Sequence, residues 1–378
     1  VDELLNLVAE MVRIPSVNPP GGSELRRASS FVLNWLKERG VEAREVEFNQ
    51  GWPLVLAEIG EGHKRVMLNG HFDVVPPGDL TMWSFDPFSG AIQEDRILGR
   101  GASDMKAGLA VFMKVITEVE PGECTLTLAA VPDEEVGGRN GSRILAERAN
   151  YDLVLISEPT GSGQIAVGEK GLLQVKLIRR GKTAHGSLPS LGENAILNLA
   201  KDLVSLSKVS EISFPTPPDL SGALINSINI IGPDVGKISY NPGVIRGGVK
   251  LNVVPDYAEA EVDMRIPPGV SVEEGIRVVK SLVGAQVIPL DLSEPNYTSG
   301  NAVNLLGDVI RKVLGVEPKE YIFTGATDGR FFRFKGIPTL VYGPGVLGKA
   351  HSYDEYITLD ELRRVYRVYK EFLREFCA

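Results

Sequence analysis

"CTLTLAAVPDEEVGG", residues 124–138, is an apolar run that stops at a proline and then sets three acids in a row, Asp133, Glu134 and Glu135. A short apolar run bounded by turn residues reads as a strand buried on both faces, the kind found in parallel sheets. "RVMLNGHFD" (65–73) and "DLVLIS" (152–157) are further strand-like runs. Helix-period patterns at 2–13, 24–39 and 105–120 stand among these runs. Strands alternating with helices imply an α/β fold, a mostly parallel sheet flanked by helices on both faces. Such sheets place their sites at the carboxyl ends of strands. The acids that follow Val131 are therefore candidates for chemistry as well as for a solvated turn.

The pattern changes near residue 164. "QIAVGEKGLLQVKLIRRGKTAHG" (164–186) alternates polar and apolar residues, as a sheet exposed on one face does. A helix pattern at 193–207, Pro- and Gly-rich hairpin-like segments, a strand at 257–266 and a helix at 272–283 follow. The β-α-β-β-α-β order predicts a small α+β, ferredoxin-like domain inserted into the first. The expected division is 1–163 with 286–378 for one domain and 164–285 for the other.

Composition narrows the function classes. The 378 residues are 43% hydrophobic and 24% charged, with a net charge of −9. That acidic balance argues against nucleic acid as a partner, yet a local arginine can still hold a small carboxylate. No apolar run is long enough to span a membrane. The two cysteines, Cys124 and Cys377, form no metal or redox motif, so a reduced, cytoplasmic setting is expected.

Five segments carry candidate chemistry. In "LNGHFDVVPPGD" (68–79), His71 and Asp73 share one face of a strand end. That suits a metal-ligating imidazole and a carboxylate orienting it, or simply a polar strand end with an Asp turn. "GRGASDMKAG" (99–108) has an aspartate where a dinucleotide loop needs its third glycine. Asp104 there is either a helix N-cap or an acid pointing into a crevice. Glu135 in the opening stretch, Glu158 in "LVLISEPT" (153–160) and His351 in "GVLGKAHSYDEYI" (345–357) complete the set. Two histidines and three carboxylates can hold two divalent ions with one carboxylate bridging, zinc first, cobalt or manganese less exclusively. Ions about 3.5–4 Å apart can activate a shared water and polarise a carbonyl.

These segments, with "GKTAHGSLPSLGENAI" (181–196), "NVVPDYAEAEVDMR" (252–265) and "TGATDGRFF" (324–332), resemble the M20 metallopeptidase family in order and over nearly the whole chain. The family includes acetylornithine deacetylase, succinyl-diaminopimelate desuccinylase, aminoacylase and glutamate carboxypeptidases. The resemblance implies a zinc-peptidase-like catalytic domain and an inserted lid that also carries a homodimer interface. It implies that Asp104 bridges two metals, that His71 and Glu158 complete one ion, and that Glu135 and His351 complete the other. Asp73 would orient His71, and Glu134 would be the general base toward a metal-activated water. The Asp104–Met105 peptide bond would be cis. His185 would stabilise the oxyanion, and Asn252, Arg265 and Arg330 would bind substrate. An arginine's planar fork suits an α-carboxylate, although Arg265 and Arg330 could equally be structural ion pairs.

The activity so implied is removal of an acyl group from an N-acyl amino acid bearing a free carboxylate. "TGATDGRF" looks closest to the desuccinylase and acetylornithine deacetylase pattern. A carboxypeptidase or dipeptidase acting on short peptides is the alternative. A non-catalytic relative serving as a binding protein would have lost a ligand or the base, and all six positions are filled.

Overall fold

A computed structural model describes residues 3–18, 23–148, 150–346 and 348–378. The chain divides into two compact units. The first comprises Val1–Val167, Thr298–Lys319 and Thr327–Ala378, and the second Gly168–Tyr297 with Glu320–Ala326.

In the first unit the strands lie in the spatial order Ala43–Glu47, Pro53–Ile59, Cys124–Val131, Lys64–His71, Leu153–Ile156, Thr339–Val341 and the first four residues of Gln164–Glu169. The central four are parallel. The outer strands run antiparallel, and the first two pair with each other as neighbours in sequence. Every residue of Cys124–Val131 is buried, as its apolar run requires. Helix Lys106–Glu118 packs on Lys64–His71 and against helices Glu3–Val12 and Leu359–Phe376. Its approach depends on Gly108, where a Cβ would lie 2.0 Å from the Ser157 carbonyl oxygen. Helix Leu359–Phe376 starts at Thr358, whose hydroxyl accepts the Glu361 N–H at 3.3 Å. Asp360 and Glu361 in its first turn and Arg374 in its last match the helix dipole.

The last turn of that helix corrects one expectation. Cys377 is joined to Cys124 by a disulfide, with Cα atoms 5.2 Å apart. The junction is reinforced by the Glu123 N–H donating to the Cys377 carbonyl (2.7 Å) and by Lys64 Nζ donating to the carbonyls of Phe376 and Ala378 (3.1 and 3.0 Å). The partners are 253 residues apart in sequence, so no local motif announces them.

The second unit holds an antiparallel sheet in the order Asn241–Gly247, Tyr257–Ile266, Gly171–Arg180, Gln286–Ser293. Tyr257–Ile266 alternates strictly between buried and half-buried residues, the period of a sheet covered on one face. Helices Ala195–Leu206 and Val272–Leu282 cover it, closing a core that includes Leu173, Val175, Leu177, Leu199, Val262 and Val279. A helix at Ser221–Ile230 stands where only hairpin-like segments were expected. Pro217, Pro218, Gly232 and Pro233 flank it and mask a ten-residue helical stretch between them. Ser227 inside that helix donates to the Ala223 carbonyl (2.6 Å) and accepts the Ile322 N–H (2.7 Å).

Candidate active site

Parallel register brings the acidic strand ends to one edge of the sheet. His71 stands beside Val131, and Asn69 beside Ile156. The chain leaving Val131 turns at Asp133–Gly138, and the chain leaving Ile156 reaches Glu158 two residues on. Asp104 lies two residues before helix Lys106–Glu118, whose N-cap position is Met105 rather than Asp104, and the Asp104–Met105 bond is cis. His351 arrives from the loop before strand Tyr356–Thr358.

The structure brings His71, Asp104, Glu134, Glu135, Glu158 and His351 together. His71 Nε2 lies 3.3 Å from Asp104 Oδ1, 3.5 Å from Glu158 Oε1 and 3.8 Å from Glu134 Oε2. His351 Nε2 lies 3.2 Å from Asp104 Oδ2 and 3.0 Å from Glu135 Oε1. The two oxygens of Asp104 thus face two different imidazoles, the disposition of a bridging carboxylate. Ligand atoms of His71, Asp104 and Glu135 fall within 4.8 Å of one another, and so do those of His71, Glu134 and Glu158. His71 Nε2 and Glu158 Oε1 are buried and have no hydrogen bond of normal geometry. Buried polar atoms are almost always satisfied; here a cation would satisfy both, and the N/O donor set fits zinc or a related divalent ion.

Asp73 contacts both His71 and the backbone of the acidic turn. His71 Nδ1 is 3.2 Å from Asp73 Oδ1 and 2.9 Å from the Asp73 carbonyl oxygen. A proton on Nδ1 leaves the Nε2 lone pair aimed at the carboxylates. Asp73 Oδ1 also accepts the Glu134 N–H at 3.2 Å, and Oδ2 accepts the Glu135 N–H at 3.1 Å. Asn18 Nδ2 donates to Asp73 Oδ2 (3.1 Å) and to the Pro132 carbonyl (3.2 Å), tying the two strand ends together. Asp73 is fully buried.

Titration follows from crowding these acids away from water. Burial, then the Glu158 charge, raises Glu134 well above the usual carboxylate range. Burial, then Asp104, raises Glu135, and the same two causes push Glu158 to about 8. Asp104 goes the other way: burial would raise it, but the His351 and His71 imidazoles outweigh that and lower it. Burial would lower His71, but the carboxylates of Asp104, Asp73 and Glu158 raise it well above 6.5. Asp104 and Glu135 push His351 up to about 10. The metal-free cluster holds protons where a cation would otherwise offset charge.

The turn itself is built on Asp133. Its carbonyl accepts the N–H groups of Val136 (3.3 Å) and Gly138 (2.7 Å), and its Oδ2 accepts the Asn140 N–H at 2.6 Å. Burial and the neighbouring Asp328 push Asp133 to about 7. Gly138 has φ +66°, and a Cβ there would fall 2.1 Å from Asp328 Oδ1. Asp328 accepts from Ser142 Oγ at 2.6 Å, which in turn accepts from Asn69 Nδ2 at 2.9 Å. The Asn69–Ser142–Asp328 chain and Asn18 were not found from sequence, because side-chain amides and hydroxyls in apolar runs carry no spacing signal.

The remaining candidates divide between the units. In the second, the His185 backbone bridges to Val253, and the Gly186 N–H donates to the Asn252 carbonyl at 2.8 Å, so these two candidates are neighbours. His185 is exposed, its Nδ1 2.7 Å from Ser187 Oγ. Arg265 is engaged by Asp263 through Nε (2.9 Å) and Nη2 (3.2 Å), the structural ion pair left open above. In the first unit, Arg330 donates to the carbonyls of Gly137 (3.0 Å) and Thr327 (3.3 Å) and sits 4.5 Å from the Phe331 ring centroid. It braces the Asp133–Gly138 turn.

Carboxylates packed this densely around two imidazoles at the strand ends of an α/β sheet form a site suited to divalent metal ions. The chain belongs to peptidase family M20/M25/M40, whose family model matches residues 67–375. It is 28% identical to a succinyl-diaminopimelate desuccinylase of Paracoccus denitrificans, covering 98% of each chain. Among solved structures it resembles an M20 family metallo-carboxypeptidase from Sulfolobus solfataricus (TM-score 0.81, 23% identity, 100% of both chains). It also resembles a dinuclear metal-binding M20 peptidase from Bacillus subtilis (TM-score 0.70, 15% identity, 99% of this chain and 97% of that one). The protein is a metal-dependent amide hydrolase of this family. Among the described residues no helix is long and apolar enough to cross a membrane.

Proposed function

We propose that the protein holds two divalent ions, zinc first, and removes the acyl group from an N-acyl amino acid with a free carboxylate. The observation that carries this is Asp104 set between His71 and His351, with Glu134 beside them and free of both imidazoles' hydrogen bonds. His71, Asp104 and Glu158 would hold one ion, and Asp104, Glu135 and His351 the other. When bound, the ions supply Lewis acidity that lowers the pKa of water and polarises the amide carbonyl.

The chain's own residues supply the rest. Glu134, 3.8 Å from His71 Nε2, is placed to take a proton from water and return it to the leaving amine. Asp73 fixes the backbone from which Glu134 and Glu135 project. His185 is assigned to the oxyanion, and Asn252, Arg265 and Arg330 to the substrate, on family resemblance. For Arg265 that role requires giving up Asp263.

The desuccinylase relative and the "TGATDGRF" segment favour an acyl-amino-acid substrate. The resemblance to a carboxypeptidase keeps short peptides as the second reading. A homodimer through the second unit is supported by its edge strand Asn241–Gly247, exposed throughout and carrying Val244 and Ile245. The Cys124–Cys377 disulfide removes the reduced-thiol argument for a cytoplasmic location. A hydrolysis screen of N-succinyl-diaminopimelate, N-acetylornithine, other N-acetyl amino acids and dipeptides on the metal-loaded protein tests the reading. Turnover of an acyl-amino acid supports it, turnover of dipeptides alone shifts it to the second reading, and no turnover of either sinks it.

A further inference from the structure

Glu355 is completely buried and four residues beyond His351. Its carboxylate accepts four hydrogen bonds. Oε2 takes Arg100 Nη1 at 2.7 Å and the Gly101 N–H at 3.1 Å. Oε1 takes the Ser103 N–H at 2.9 Å and the Asp104 N–H at 3.0 Å. An ionised carboxylate has about four lone-pair sites, so every site is filled by a donor. Three of the four donors are backbone amides of one short loop, an anion-binding concavity closed around a side chain. Gly101 makes the concavity possible: its φ is +85°, and a Cβ there would lie 2.6 Å from Val74 Cγ1. Arg100 Nη1 also donates to the Ser352 carbonyl at 3.0 Å, and the Gly99 N–H donates to the Glu355 carbonyl at 2.9 Å.

These bonds fasten the loop that ends in Asp104 to the loop that carries His351. Asp104 and His351 face each other at 3.2 Å, and both are candidate ligands of one ion. No corresponding bond runs from Glu355 to His71 or Glu158, the partners at the other ion. His351 needs such a brace more than His71 does. Its side chain is 52% exposed, its backbone is left-handed at φ 58°, and among the described residues it has no counterpart of the carboxylate that holds His71 Nδ1.

Resting on the two-ion reading above, we infer that Glu355 is a positioning residue for the ion held by Asp104, Glu135 and His351, and that its loss weakens that ion more than the other, which it reaches through Asp104 alone. A carboxylate is required. A glutamine would turn an NH2 group toward two of the four donors, leaving buried N–H groups opposed rather than paired. Residues that orient metal ligands in this way typically control affinity by about 10–100-fold.

The test is calorimetric titration of metal-free protein with Co2+, read together with the visible spectrum at each equivalent. Wild type, Glu355→Gln, Arg100→Lys, His351→Ala and His71→Ala are compared. The wild type should bind two ions. Glu355→Gln should lose about tenfold or more at the binding step that His351→Ala removes, and a smaller factor at the step that His71→Ala removes. Arg100→Lys keeps the cation but releases Ser352, and should weaken the same step; it carries the test if Glu355→Gln does not fold. A merely structural role would lower the melting temperature and leave both binding steps alike, which overturns the inference. A wild type that binds fewer than two ions overturns the two-ion reading instead.

Discussion

Asp73 holds Glu134 by its backbone: Asp73 Oδ1 accepts the Glu134 N–H at 3.2 Å while standing 3.2 Å from His71 Nδ1. One buried carboxylate thus orients a candidate metal ligand and the candidate base together. Asp73→Asn replaces an acceptor with a group that is half donor. It is expected to weaken metal binding by about 10–100-fold and to lower kcat as well. Calorimetric metal titration and steady-state kinetics on the same preparation check this. Unchanged affinity and kcat would mean that the Asp73 contacts are incidental.

Glu134 is held among the ligands but makes its nearest approach to His71 at 3.8 Å, looser than Glu135 makes to His351 at 3.0 Å. Glu134→Gln should therefore keep the metal complement of the wild type and lose about 100- to 10,000-fold in kcat. Metal analysis beside kcat distinguishes a lost base from a lost ligand. Full retained activity removes the general-base role.

The protons held by the metal-free site set a pH dependence. Asp104 and Glu135 raise His351 from 6.5 to about 10, and burial with Asp104 raises Glu158 from 4.5 to about 8. Between about pH 5 and 10 the folded site then binds more protons than the unfolded chain, so the stability of the metal-free protein falls as pH rises through that window. Divalent ions compete with the same protons and bind more tightly as pH rises. The gap in melting temperature between metal-loaded and metal-free protein should widen from pH 6 to pH 8. A gap that is constant or that narrows contradicts the assignment.

The Cys124–Cys377 disulfide closes a loop of 253 residues far from the site. Cys124→Ser with Cys377→Ser should cost about 2–5 kcal/mol of stability and leave kcat unchanged. Chemical denaturation of the double variant, with alkylation and mass measurement of the parent, checks both halves.

Much of this was legible because apolar strands that end in acids are unusual. Val131 before Pro132, and Ile156 before Glu158, mark strand ends by composition alone, and parallel register then brings them together without further information. His71 and Asp73 share a face for the same reason. What was hidden depends on contacts remote in sequence. Glu355 meets Arg100 across 255 residues, and Cys124 meets Cys377 across 253. Asp133 read as a turn former, and it is one, but its burial against Asp328 comes from packing. Helix Ser221–Ile230 was obscured because prolines at its flanks read as breakers while Ser227 and Asn226 anchor it to the strand Lys319–Phe323.

The account is tested most directly by adding Zn2+ stepwise to the metal-free protein while following hydrolysis of an N-acyl amino acid. Activity should be absent without metal, rise with added ion and reach its plateau at two ions per chain. Full activity in the metal-free protein, or saturation by two ions with no hydrolysis, would contradict it.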